Sequence, residues 1–264
     1  MGGKLDVYLD IASLYSYVAF AYLQQHTSEL AAHGVEIEYH PVLLGAINAS
    51  TGNRPPWTVP AKASYLKHDA SRSLSRVSLP PSTAMPPDFM ARANTLLPLR
   101  CLTYIKYNFP PPPSSTSPPS RDKHPQNGSE TFVAALAQLL KSFWIDHSDL
   151  NDPSVLSSAL LSATSNFAPV FASPGQVAQV VSAAQSDATL KAKVKDRTRE
   201  AVEEKGAFGA PWIWATNDAG KGEPFFGSDR FHHVYLHLGV PFTDVTIVPP
   251  ASRAPGGSGG KTKL

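Results

Sequence analysis

The strongest constraint on the fold is the order of periodic segments, because strand patterns occupy both ends of the chain and helical patterns fill the middle. KLDVYL (Lys4 to Leu9) reads as a strand. A helical pattern starting near Ser13, with Val18, Tyr22 and Leu23 on one side, follows it, and VEIEYHPV alternates as a second strand. Near the other end, WIWA (Trp212 to Ala215) and PFF (Pro224 to Phe226) bracket the turn NDAGKG as a hairpin. SDRFHHVYLHLG then reads as a short helix with Ser228 at its N-cap and Gly239 at its end. A βαβ unit, a block of helices and a ββα unit make this an α/β chain.

The helical block carries clear start signals. Asp152 before Pro153 and Ser173 before Pro174 each place a capping residue ahead of a proline at the first helical position. Ser129 precedes a run with Phe132, Leu136, Leu139, Leu140 and Phe143 at helical spacing. Thr95 is placed to cap a helix that keeps Pro98 in its first turn, and a last helix runs from Asp187 to Lys205 and stops at Gly206. These signals divide the chain into one α/β domain made of residues 1–65 and 193–247, with an inserted helical domain at 66–192. Seven of the 25 prolines fall between Pro110 and Pro125, which predicts a polyproline-like surface loop over 110–128. The glycine-rich tail, 248–264, is expected to be disordered.

Composition narrows the function. Forty-two per cent hydrophobic and 17% charged residues fit a soluble globular protein, and a net charge of +2 with mixed signs lacks the basic surface that nucleic acid rewards. No apolar run is long enough to span a bilayer, so neither nucleic acid nor membrane is an expected partner. The single cysteine, Cys101, excludes an intrachain disulfide and a CxxC pair; within LLPLRCLTYI it reads as a buried, inert thiol.

In the thioredoxin-type arrangement of a βαβ half and a ββα half, the reactive group sits at the start of the first helix. Here that place holds Ser13-Leu14-Tyr15-Ser16, with serines where a disulfide oxidoreductase has cysteines. The unpaired N–H groups and the positive end of the helix dipole favour an anion there. On the residues alone, Ser13 is either a helix cap or a hydrogen-bond donor to a ligand's thiolate.

Four separated segments, DVYLDIASLYSY, GAINASTGNRPPWTVPAKASYLKHD, GAFGAPWIWA and FFGSDRFHHVYLHLG, resemble the kappa-class glutathione transferases. That family is related to DsbA and to the bacterial 2-hydroxychromene-2-carboxylate isomerases, and the resemblance spans residues 4 to 240. It implies a thioredoxin-like fold with a helical domain inserted between the βαβ and ββα halves, and glutathione as co-substrate. The family's S-P-Y-S motif maps its sulfur-contacting serine onto Ser13, with Leu14 in place of the usual proline; Ser16 is the other candidate. Pro211 matches the family's cis-proline, whose backbone turns Ala210 toward the cysteinyl part of glutathione. Ser228 and Asp229 would hold the γ-glutamyl end, Asn53 matches a glutathione contact, and Lys62 is a partner for the remaining carboxylate. Arg54 and Trp57 would shape the loop or the electrophile pocket. Read as residues alone, Pro211 opens an edge strand and Ser228 and Asp229 start a helix.

The expected activity is conjugation of glutathione to small electrophiles, with peroxidase activity as a further use of the bound thiolate. Two alternatives are a glutathione-dependent isomerase of the 2-hydroxychromene-2-carboxylate type and a non-catalytic thioredoxin-fold module that binds peptides. A homodimer is implied by the resemblance. His232, His233 and His237 share one short helix; His233 and His237 are four apart, but no third ligand at recognised spacing accompanies that pair, so no metal is expected. The last residues, Thr262-Lys263-Leu264, resemble a peroxisomal SKL signal. The expected location is therefore cytoplasmic or peroxisomal, with mitochondria left open.

Overall fold

The computed structural model describes residues 2–109 and 130–243. Strand β1 (Gly3–Leu9) leads through helices α1 (Leu14–Gln25) and α2 (Thr27–Ala32) to strand β2 (Val35–Pro41), which lies parallel to β1 with Leu5 opposite Ile37. Helix α3 (Leu44–Thr51), a 3-10 turn at Pro56–Thr58, α4 (Pro60–Arg76), α5 (Phe89–Arg92) and α6 (Leu96–Asn108) follow. Next come α7 (Glu130–Trp144), α8 (Pro153–Leu161), a small hairpin of β3 (Thr164–Ser165) and β4 (Ala168–Pro169), and α9 (Pro174–Ser186). Helix α10 (Ala188–Glu203) returns the chain to the hairpin β5 (Trp212–Asn217) and β6 (Gly222–Phe226), and α11 (Phe231–Leu238) closes it.

The two ends make one four-stranded sheet in the order β2-β1-β5-β6. β5 runs antiparallel to β1 and to β6, with Val7 opposite Ile213. This is the thioredoxin-like arrangement that the sequence order implies. Strand residues Leu5, Val7, Val35 and Ile37 share one continuous core with Phe20 and Leu23 of α1, Leu102 and Ile105 of α6, and Phe143 of α7. Burial in α1 extends over Tyr17, Val18, Ala19 and Phe20, wider than the single apolar side read from the sequence, because both the sheet and the inserted helices cover it. Helix α10 crosses residue 193 and packs against α3 and β2 as well as α6.

Several helix starts fall where the capping residues place them. Ser13 caps α1 by accepting a hydrogen bond from the Ser16 N–H at 3.1 Å, and Asp152 caps α8 by accepting from the Ser154 N–H at 2.7 Å. Three capping expectations need correction. Thr95 stands before α6, and Pro98 is in the first turn, but the Thr95 hydroxyl donates to the Asp10 carboxylate rather than capping the helix. Ser173 stands before α9 without a side-chain cap bond; the Gln176 carboxamide reaches back to accept from the Ala172 N–H instead. Helix α11 starts at Phe231 with Arg230 as its N-cap, not at Ser228. The Gly227 N–H still donates to the Pro211 carbonyl at 3.2 Å, so the backbone at Ser228 is finishing the hairpin. The proline-rich loop, Ser129, the tail and the Thr262-Lys263-Leu264 end lie outside the described residues.

One polar cluster joins the sheet to α6. Asp6 and Glu38 face each other across β1 and β2, and His40 Nε2 meets Asp6 at 2.7 Å. Glu38 pairs with Lys4 and, at 2.7 Å, with Lys106. Asp6, Glu38 and His40 are close enough to offer a cation three ligand atoms, but any cation there competes with the two ammonium groups already paired to the acids. Burial alone would raise the Glu38 carboxyl, yet hydrogen bonds from Lys106 and Lys4 outweigh it and hold it at about 2. A depressed folded pKa contributes stability that is present above the ordinary value of 4.5 and lost as the pH falls toward about 2. Glu38→Gln is therefore expected to flatten the stability profile across that interval, measured as denaturant midpoints against pH.

Candidate active site

The site begins at the end of β1, where the chain turns from strand into helix. Asp10 is 1% exposed. Its carboxylate accepts from the Ala12 N–H at 3.0 Å, the Leu44 N–H at 2.6 Å and the Thr95 hydroxyl at 2.6 Å. Its carbonyl accepts from the Ser13 N–H at 3.1 Å. Burial pushes this carboxyl above its ordinary value, against the hydrogen bonds from Thr95, Ala12 and Leu44. One buried acid thus ties together the starts of α1, α3 and α6, and it sets where Ser13 stands. The signal for it was a lone charge inside the apolar run VYLDIA, which the sequence reading passed over.

Ser13 faces the loop ahead of β5. Its hydroxyl donates to the Ala210 carbonyl at 2.8 Å while accepting from the Ser16 N–H. The Ala210–Pro211 peptide is cis, as the resemblance implies. Helix geometry leaves the N–H groups of Leu14 and Tyr15 without intrahelical acceptors. Ser16 is wholly buried and its oxygen lies 3.4 Å from the Asp10 N–H, which turns it into the protein rather than toward a ligand.

Ser13 and Ala210 line a cavity of about 810 Å³. Asn53 and Lys62 line it as well, and the Asn53 carboxamide donates to the Phe208 carbonyl at 2.7 Å, joining the α3–α4 connection to the loop ahead of the cis bond. Arg54, Lys62 and Lys67 put three cationic side chains around the cavity, and Lys62 makes no ion pair among the described residues. Trp57, Leu74, Leu79 and Trp144 give it an apolar part. The structure therefore brings Ser13, Asn53, Lys62 and Ala210 together, with Pro211 adjoining. Ser228 is buried outside the cavity lining, and Asp229 is exposed and paired with Arg230.

Two groups at the site were not read from the sequence. The Tyr15 hydroxyl, on the cavity wall, donates to the Asp69 carboxylate of α4, and burial followed by this partner raises its pKa. The Trp144 indole N–H donates to the Ile11 carbonyl at 2.8 Å, fixing α7 against the turn that carries Ser13. Neither pairing has a local signal, since the partners are 54 and 133 residues apart. Cys101 is fully buried in α6 and its thiol is pushed up to about 12 by burial, so it has no part in the cavity chemistry. His237 meets the carbonyl oxygens of Ala215 and Lys221 at 3.1 and 3.0 Å through Nε2, which must therefore carry the proton.

Residues 4–107 match the family model of the DSBA-like thioredoxin domain. The chain is similar in fold to a 2-hydroxychromene-2-carboxylate isomerase, with a TM-score of 0.61 and 17% identity, covering 89% of this chain and 94% of the other. The chain has a DsbA-like thioredoxin fold, with Ser13 at the start of its first helix. Its homologues include Glutathione S-transferase kappa 1 of Caenorhabditis elegans, 27% identical over 87% of this chain and 88% of the relative. Glutathione S-transferase kappa 1 of Homo sapiens is 25% identical over 95% of this chain and 96% of its own length.

Proposed function

We propose that the chain is a glutathione transferase that binds glutathione in the cavity at Ser13 and conjugates it to small electrophiles. The observation that carries this reading is the meeting of the α1 N-terminus with the cis Ala210–Pro211 loop, joined by the Ser13 hydroxyl at 2.8 Å. Similarity to the kappa-class enzymes over most of the chain supports it.

The roles follow from the chemistry of the ligand. Glutathione has a backbone N–H at its cysteine, and donating that N–H to the Ala210 carbonyl displaces the Ser13 hydroxyl. The freed hydroxyl then turns its proton to the sulfur, beside the unpaired N–H groups of the first helical turn, and the thiol proton leaves to water. Asn53 supplies a glutathione contact and Lys62 takes the carboxylate remote from the γ-glutamyl end. Ser228 and Asp229 stay in the proposal for the γ-glutamyl end, through a movement of Asp229 from Arg230 to the ligand ammonium group. The resemblance extends the reading to a homodimer, which sedimentation velocity tests.

Calorimetric titration with glutathione is expected to show saturable binding, and S-methylglutathione should bind too, since it keeps both carboxylates. Equal binding of an unrelated extended peptide would instead mark a peptide module. Lys62→Ala should weaken glutathione a few-fold, the scale of an exposed ion pair, and the loss should shrink as salt is raised. An affinity unaffected by the substitution at low salt would remove Lys62 from the site.

A further inference from the structure

Helix α4 walls the cavity with few ties to the rest of the chain. Leu74 is its one buried residue, and it packs with Val18 of α1 and with Val77 in a small core at the C-terminal end. At the same end the Arg76 guanidinium lies over the Tyr22 ring, 5.3 Å from its centre. Ahead of the helix, Trp57 packs edge-on against Phe89, with ring centres 5.2 Å apart. Between these two anchors the Asp69 carboxylate accepts from the Tyr15 hydroxyl, and among the described residues no other side chain of α4 makes a hydrogen bond or ion pair to the rest of the fold. Burial followed by Asp69 raises the pKa of the Tyr15 phenol, so the hydroxyl stays the donor. Anchors at its two ends leave a helix free to roll about its axis, whereas a bond on one edge stops the roll. Lys62 lines the cavity from seven residues before Asp69. Seven residues are about two helical turns, so the two side chains leave α4 in nearly the same direction, about 10 Å apart along its axis. The edge of α4 that carries Lys62 is therefore the edge that Tyr15 holds against the first turn of α1, beside Ser13.

We infer that Tyr15 is a positioning residue for glutathione: its bond to Asp69 sets the span between Ser13, where the sulfur sits, and Lys62, which takes the glycyl carboxylate. The inference rests on the glutathione reading above. One tripeptide has to reach both places at once, and it gains the full attraction of Lys62 only where the ammonium group already stands at the right distance. A charge positioned beforehand needs little ordering when the ligand arrives. Without the bond, α4 rolls, and the Lys62 ammonium group samples positions that the glycyl carboxylate cannot reach while the sulfur stays at Ser13. Part of the attraction is then offset by the cost of ordering the helix. Because Tyr15 acts through Lys62, its contribution is bounded by that of Lys62 and vanishes for a ligand whose glycyl carboxylate has no charge.

The test titrates glutathione and its glycyl monoethyl ester, which lacks that one negative charge, into the parent, Tyr15→Phe, Lys62→Ala and the double variant at low salt. Tyr15→Phe keeps the ring and removes only the hydroxyl. It is expected to weaken glutathione about two- to five-fold, no more than Lys62→Ala does, and to leave the ester unchanged. In the Lys62→Ala background it should do nothing further, the non-additivity of groups that act as one. Asp69→Asn and Asp69→Ala both remove the charge, but only asparagine keeps an acceptor for the hydroxyl, so Asp69→Asn should bind glutathione more tightly. That pair decides the matter if Tyr15→Phe fails to fold, and equal affinities in it overturn the inference. So does an equal loss for glutathione and ester in Tyr15→Phe, a loss that adds to that of Lys62→Ala, or no loss at all. The parent separates the two levels. Equal affinity for glutathione and ester overturns the role of Tyr15 and leaves the glutathione site standing, whereas binding of neither overturns both readings.

Discussion

Ser13→Ala is expected to raise the pKa of the thiol of bound glutathione and to slow conjugation roughly ten-fold to a hundred-fold, because a hydrogen bond to a charged group is worth about 1.5 to 3 kcal/mol, or about one to two pKa units. The parent protein should therefore develop thiolate absorbance near neutral pH when glutathione is added, well below the free-thiol pKa of about 8.5. The variant should need a more alkaline solution for the same absorbance, and its rate deficit should shrink as the pH rises past the shifted pKa. Binding should weaken less, since the carboxylates are assigned to other groups.

The structure adds a second consequence of the same substitution. The Ser13 oxygen also accepts from the Ser16 N–H and caps α1, so its removal should cost about 1 kcal/mol of stability. Ser13→Gly removes the hydroxyl while costing the cap only about a few tenths of a kcal/mol, and so separates the two losses. Ser16→Ala serves as the contrast, because Ser16 is buried and bonded to the Asp10 N–H, away from the cavity. A thiolate titration unmoved by Ser13→Ala but shifted by Ser16→Ala would move the sulfur's partner from Ser13 to Ser16. If neither moves it, the helix terminus activates the sulfur unaided.

What could be read from the sequence was the part that depends on local periodicity and short motifs. The two strands flanking α1, the hairpin of β5 and β6, and the caps at Ser13 and Asp152 all follow from residues within one turn or one strand pair. Where a side chain had a distant partner, the local reading failed. Thr95 looks like a cap, but its hydroxyl is committed to Asp10, 85 positions away. Ser228 looks like a helix start, but the backbone beside it is held by Pro211. The cis peptide at Pro211 came from the family resemblance; a proline ahead of a strand is ordinarily trans. Thr83 and Trp144 join the cavity lining, and Asp69 reaches Tyr15, only through tertiary folding, and no spacing rule connects them to Ser13.

Asp10 carries the largest expected effect on stability. Its carboxylate satisfies two backbone N–H groups and the Thr95 hydroxyl in a fully buried position. Asp10→Ala orphans all three at once and opens a small cavity, so a loss of about 3 to 5 kcal/mol is expected from urea unfolding midpoints. Asp10→Asn keeps the volume and one acceptor oxygen, and should lose less. The pH dependence distinguishes Asp10 from Glu38. Burial holds the Asp10 carboxyl above 3.8 in the folded chain, so the folded state keeps this proton to a higher pH than the unfolded state does. Its contribution to stability is therefore greatest below 3.8 and declines as the pH rises through the folded pKa, the reverse of the Glu38 slope. Asp10→Asn should accordingly remove a decline on the alkaline side of 3.8, while Glu38→Gln removes one on the acid side of 4.5. Because Asp10 also positions Ser13, glutathione turnover should fall in Asp10→Asn even where the chain stays folded. Full turnover in a folded Asp10→Asn protein would show that the Ser13 turn holds its shape without the buried charge.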